Sequence, residues 1–76
     1  MDIAKAFGMA LRAERKRRGL TQEQLALEAD LRRTFISSIE LGEKQPSITT
    51  LFKLSNALGI RTSTLIDLTE RELEKT

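Results

Sequence analysis

The side chains able to do chemistry in this 76-residue sequence are unevenly chosen, with no His and no Cys among them. The commonest general base and the commonest metal ligand are therefore missing. So is any thiolate or disulfide, which makes a reducing compartment the natural setting. Neither a Ser-His-Asp nor a Cys-His device can be assembled. A Ser-Lys pair is formally available, but so short a chain has little room for both a core and a substrate pocket. The expectation is a non-enzymatic protein without metal or cofactor. What the sequence does concentrate is hydrogen-bond donors: Arg32, Arg33, Thr34, Ser37 and Ser38 lie close together. Such a set suits an anionic or polar-edged partner.

Thirteen Lys and Arg against eleven Asp and Glu leave a net charge of +2, with 32% charged and 39% apolar residues. That balance fits one soluble globular domain spanning residues 1–76. The charge is uneven. Lys5, Arg12, Arg15, Lys16, Arg17 and Arg18 crowd the N-terminal part, and Asp67, Glu70, Glu72 and Glu74 the C-terminal part. A basic end and an acidic end point to an anionic partner on one side only, or else to two solvated helix faces. No apolar run approaches the ~20 residues of a membrane span. Asp2 stands where a secretory signal needs positive charge, and Asp2 and Glu14 argue against a transit peptide. A cytoplasmic protein without membrane association is expected.

Gly, Pro and capping residues cut the chain into helices. Ile3, Phe7, Ala10, Leu11 and Glu14 share one helical face, apolar until its last position. That helix runs from the cap Asp2 to about Arg18, where Gly19 stops it. Thr21 opens a second, short helix with a capping box, Thr-Gln-Glu-Gln. Leu25, Ala26 and Ala29 form its buried face, with Leu20 as a staple, and it ends near Asp30. A third follows at once, with Ile36 and Ile39 as its apolar pair, Leu31 packing from the turn, and Gly42 beyond its end. Ser47 caps a fourth helix lined by Ile48, Leu51, Leu54, Ser55 and Leu58, and Gly59 closes it. A fifth runs from about Thr62 through Leu65, Ile66 and Leu68 toward residue 76. No β pattern occurs. The predicted fold is all-α: one compact five-helix domain with its core over about 5–66.

Helices two and three, over about 21–41, are short, and their junction at Asp30-Leu31-Arg32 is too tight for an antiparallel hairpin. Two such helices cross steeply as a helix-turn-helix. In that unit the second helix can protrude into the DNA major groove, and its outward face should be polar and rich in donors. Arg33, Thr34 and Ser38 meet that description.

Three segments resemble the phage-repressor-like, Cro-type (Xre) helix-turn-helix family. They are Gly19-Leu20-Thr21-Gln22-Glu23-Gln24-Leu25-Ala26, Ile36-Ser37-Ser38-Ile39-Glu40-Leu41-Gly42, and Pro46-Ser47-Ile48 with Leu51, Leu54 and Ala57-Leu58-Gly59-Ile60. The resemblance covers roughly residues 5–66, with the motifs at mutually correct spacing. The run Arg33-Thr34-Phe35-Ile36-Ser37 is similar to one common in restriction–modification controller proteins, with Phe in place of Tyr.

The resemblance implies roles. Gln22 would touch a DNA phosphate and brace the recognition helix, its structural rival being the capping box. Arg33 would reach guanine, Thr34 the thymine methyl, and Ser38 a third base edge. Arg32, Ser37 and Lys44 would hold phosphates, Lys44 together with backbone N–H groups of residues 43–47. Arg15 and Glu40 would form a structural salt bridge. Arg12, Lys16, Arg17 and Arg18 are expected to face solvent. Two positions depart from the family: Asp30 stands where Gly is usual, a site that often has positive φ, and Leu41 replaces a commonly polar residue.

Family members bind operators as homodimers. Apolar residues left over from the core, Phe52, Leu65, Ile66 and Leu68, would supply the two-fold interface. The expectation is a homodimeric, sequence-specific transcriptional regulator of double-stranded DNA on a palindromic operator, with a restriction–modification controller the leading subtype. RNA polymerase is a partner if operator placement makes the protein an activator. Residues beyond about 66 are too few for a sensor domain. The competing expectation is a protein-interaction module, antitoxin-like or partner-binding, that keeps the fold without DNA readout.

Overall fold

A computed structural model describes residues 1–75. Five helices account for it: α1 (Ile3–Arg17), α2 (Gln22–Ala29), α3 (Arg33–Glu40), α4 (Ile48–Leu58) and α5 (Thr62–Glu74). No strand occurs among the described residues. The last helix, expected over 62–76, ends at Glu74, and residue 76 lies outside the described residues.

Local chemistry sets each boundary. The Asp2 carboxylate accepts from the Lys5 N–H at 2.8 Å and starts α1. Gly19 turns left-handed at φ 73° beyond its end. The Thr21 hydroxyl accepts from the Gln24 N–H at 3.0 Å, and the Gln24 amide oxygen accepts from the Thr21 N–H at 2.8 Å, closing the capping box of α2. Asp30 then takes the left-handed conformation at φ 57°. A short polar side chain tolerates that region better than most. The reversal lets the Leu31 N–H return to the Ala26 carbonyl at 2.9 Å, and α3 begins two residues later. Ser47 caps α4 through the Thr50 N–H at 3.2 Å.

The core joins all five helices: Phe7 and Leu11 of α1, Leu25, Ala26 and Ala29 of α2, Ile36 and Ile39 of α3, Leu54 and Leu58 of α4, and Leu65 of α5. Leu20, Leu31, Phe35 and Leu51 pack on it half-buried. Ser55 is fully buried, yet its hydroxyl bonds the Phe52 carbonyl at 3.1 Å and the Thr62 hydroxyl at 2.6 Å. It thereby ties α4 to the start of α5 without stranding a polar group.

Two expected core residues are exposed instead, Ile3 and Ile48. Each opens its helix at the rim of the bundle, where the next helix does not reach. Ala4 takes the inward place at the start of α1. The charge asymmetry also resolves differently in three dimensions. α1 packs most extensively on α5. The basic and acidic ends therefore lie side by side: Glu14, Arg17, Arg71, Glu72 and Lys75 line one shared cleft.

Candidate nucleic-acid interface

Helix α3 has two opposed faces. Ile36 and Ile39 are fully buried. At about 100° per residue, Thr34, Ser37 and Ser38 fall on the opposite side. Arg33 and Thr34 are exposed at its first turn, and Ser37 and Ser38 are half-buried. Arg32 is the exposed N-cap and provides no side-chain cap. The first N–H groups of α3 are therefore left without that partner. Lys44 is exposed in the turn between α3 and α4. Leu41, 61% exposed, falls on the same outward side and is its apolar exception.

The arrangement that holds this face is polar and buried. Arg15 Nε donates to Glu40 Oε2 at 2.7 Å, and Arg15 Nη2 to Glu40 Oε1 at 3.0 Å. The third guanidinium nitrogen, Nη1, donates to the Leu20 carbonyl at 2.7 Å. One side chain of α1 thus grips the last residue of α3 and the segment that enters α2. Its planar fork suits a bidentate carboxylate pair as Lys could not. Gln22, the first residue of α2, donates Nε2 to Glu40 Oε1 at 3.0 Å. It takes no part in the capping box, which Gln24 closes, so the structural rival named for Gln22 falls elsewhere. Gln22 and Arg33 line one surface groove together with Thr21, Glu23 and Leu27. A candidate backbone contact and a candidate base reader therefore share one side of the molecule.

Below that pair, α3 approaches α1 at Gly8. A Cβ there would collide with the Ile39 carbonyl oxygen and lie 2.7 Å from that of Glu40. Spacing in the sequence gave no sign of this contact.

Glu14 is a second buried carboxylate. Arg17 donates to it at 2.9 and 3.1 Å, and Arg18 at 3.1 Å. These two arginines are exposed, as expected, and they also neutralise the charge that ends the apolar stripe of α1. Their spacing of three and four residues is the one available signal. The hydrogen bond from Arg17, aided by Arg18 and opposed by burial, lowers the Glu14 pKa below the usual carboxylate range. A depressed folded-state pKa adds stability that is present above the unfolded value and lost as pH falls through the folded one. Glu14→Gln should therefore melt below the native protein at pH 7. The gap should close as pH falls below about 4, as read by thermal melts across pH 7 to 2. A gap independent of pH would contradict the ion-pair assignment.

The apolar residues expected at a dimer interface divide. Phe52 is 54% and Ile66 40% exposed. Leu68 is half-buried. Leu65 is wholly buried and belongs to the core. It therefore cannot be part of an exposed interface: the inward stripe of α5 passes through Leu65 and Thr69, one helical turn apart. No helix among the described residues is long and apolar enough to cross a membrane.

Comparison with known proteins agrees with this geometry. Residues 11–65 match the family model described as Helix-turn-helix. The chain is 41% identical over 69 residues to control protein C.BamHI of Bacillus amyloliquefaciens, covering 90% of this chain and 85% of that one. It is 43% identical over 72 residues to control protein C.MunI of a Mycoplasma species, covering 93% and 97%. Among solved structures, the restriction-modification controller protein C.AhdI from Aeromonas hydrophila superposes with a TM-score of 0.80 at 35% identity, covering 82% of this chain and 94% of that one.

Proposed function

The chain belongs to the Xre-type helix-turn-helix family of DNA-binding transcriptional regulators, alongside control proteins, and on that premise we propose that it binds a palindromic operator as a homodimer and controls restriction–modification genes. One observation carries the proposal. The outward side of α3 is exposed and donor-rich at its start, while the inward side is fixed by core packing and the last residue by the Arg15–Glu40 pair. A face held that firmly can read base edges, because direct readout demands side chains in register with the groove.

In this reading Arg33 pairs with guanine, Thr34 meets a thymine methyl, and Ser38 reads a third position. Gln22, Arg32, Ser37 and Lys44 hold phosphates and set the register. The protein works in the cytoplasm, as one domain, without a catalytic step. RNA polymerase is engaged only where the operator lies upstream of a promoter. A partner-binding module without DNA readout would favour an acidic or apolar α3 face, and that face carries Arg32, Arg33, Thr34 and Ser38 instead.

The second copy packs through Phe52 and Ile66, without Leu65, which is in the core, and without Leu68, which lies on the opposite flank of α5 against α1. Two recognition helices would then lie about 34 Å apart, one turn of DNA. Sedimentation of the protein alone and on an operator duplex tests this. Twice the monomer mass is expected for the free protein, and two protomers per duplex for the complex. Phe52→Glu should shift the free protein toward monomer and weaken operator binding at least tenfold, since a charge in an apolar interface is left unpaired. A native monomer that binds DNA one-to-one would overturn the dimer.

A further inference from the structure

We infer that Lys5 is a further contact to the DNA backbone: its stem lies on the turn that leaves α3, and its ammonium joins Lys44 on the phosphates there. The inference rests on the DNA-binding reading above and extends the interface to α1.

The turn is built on Gly42. Its φ of 77° is left-handed. The N–H groups of Gly42 and Glu43 return to the Ile39 and Ser38 carbonyls at 3.0 and 2.9 Å. A Cβ on Gly42 would stand 2.6 Å from Lys5 Cγ and 3.0 Å from Lys5 Cα. The absent side chain therefore serves twice. It permits the left-handed turn, and it lets the Lys5 stem rest on the backbone. Ile3 and Ala4 line a groove with Gln45 and Pro46, so the first turn of α1 borders the same connection toward α4. A lysine stem packed in this way keeps its ammonium in water, here within one side chain's reach of Gly42.

Local charge shows what the ammonium adds. Residues 41–47 hold one acid, Glu43, and one base, Lys44. On their own they have no net attraction for phosphate. Lys5 is exposed and pairs with no carboxylate among the described residues. Arg17 and Arg18 of the same helix, by contrast, are matched by Glu14. Asp2, one turn before Lys5, has its carboxylate on the first N–H groups of α1, where the helix dipole opposes its charge. Lys5 thus turns a neutral connection into a positive one.

A phosphate contact displaces counterions and carries no sequence information. Both properties can be measured. Native protein, Lys5→Gln, Lys5→Arg and Lys16→Gln are titrated across salt on two duplexes, one enriched from a random library and one of random sequence. Lys16 is the control. It is exposed, unpaired among the described residues, and about three turns further along the same face of α1. It contributes the same charge without touching the turn. Thermal melts confirm that each protein is folded.

Lys5→Gln is expected to bind both duplexes about tenfold more weakly near physiological salt, about threefold for each of two protomers. Its salt slope should be shallower by about two, one lost phosphate contact per protomer. Lys5→Arg should keep the native slope. Lys16→Gln should stay within about twofold of native affinity, since solvent screens a distant charge.

A native salt slope in Lys5→Gln would overturn the inference. An equal change in Lys16→Gln would overturn it too, by making the effect a field of the whole helix. So would a loss confined to the enriched duplex, because Lys5 would then act through the base readers. Native protein that binds both duplexes alike would instead remove the operator reading beneath the inference, whatever Lys5 does to the slope.

Discussion

Glu40→Ala is expected to cost about 3–5 kcal/mol of folding stability, the largest single-residue effect outside the apolar core. The reason is asymmetric. Removing the carboxylate leaves the Arg15 guanidinium buried with only the Leu20 carbonyl beside it. A buried charge without its counterpart costs far more than the intact pair contributes. Gln22 loses its partner in the same step. In a domain of this size each kcal/mol lowers the melting temperature by about 4–8 °C. A fall on the order of 20 °C follows, and a small domain without metal or disulfide has little stability to spare. Replacing both partners, Arg15→Gln with Glu40→Gln, should restore most of the loss, because no isolated charge then remains. Thermal melts at pH 7 decide it. A Glu40→Ala protein melting within about 3 °C of native would mean that the pair does not anchor α3.

Gly8→Ala should destabilise the protein, although helix propensity alone favours Ala by about 1 kcal/mol. The added Cβ meets backbone, not a side chain that could rotate away: the carbonyl oxygen of Ile39, with the Glu40 oxygen at 2.7 Å and the Glu40 carbonyl carbon at 2.9 Å. Helix α3 must retreat from α1 to admit it. A net loss of about 1–3 kcal/mol is expected from the forced shift. The retreat also pulls Glu40 away from Arg15, so operator affinity should fall further than the small unfolded fraction explains. Melts and binding isotherms on one preparation separate the two effects. A raised melting temperature would show that the helices part at no cost and that Gly8 is not a contact point.

Much of this was legible in the residues. Capping chemistry at Asp2, Thr21 and Ser47 and the glycines at 19 and 59 placed the helix ends to within a residue or so, because these signals are local. The apolar pair Ile36 and Ile39 fixed which side of α3 turns inward, and so which side carries Arg33 and Thr34. The resemblance to the Xre-type family supplied the partner expected for Arg15, and Glu40 lies beside it. What was not legible depends on three-dimensional neighbours. Ile3 and Ile48 have core chemistry, but they sit on first turns at the rim, where no facing helix covers them. Leu65 and Ile66 are adjacent in sequence and equally apolar. Only the packing of α5 on the bundle decides that Leu65 is buried and Ile66 is exposed. Arg17 and Arg18 face solvent as expected, but their pairing with Glu14 shows only once the burial of that carboxylate is known. Opposite charge at the two ends of the chain gave no sign that Arg17 of α1 and Arg71, Glu72 and Lys75 of α5 would line one cleft.

That the exposed start of α3 reads DNA sequence is tested by selection from a random duplex library near physiological salt, with native protein and Arg33→Ala run in parallel. The expected result is a two-fold-symmetric sequence enriched by the native protein, and preference lost at one base per half-site in the variant, about 1–3 kcal/mol of discrimination there. Weak enrichment alike in both, with affinity that collapses steeply as salt rises, would mean backbone attraction alone. The assignment of α3 as a reading helix would then be wrong.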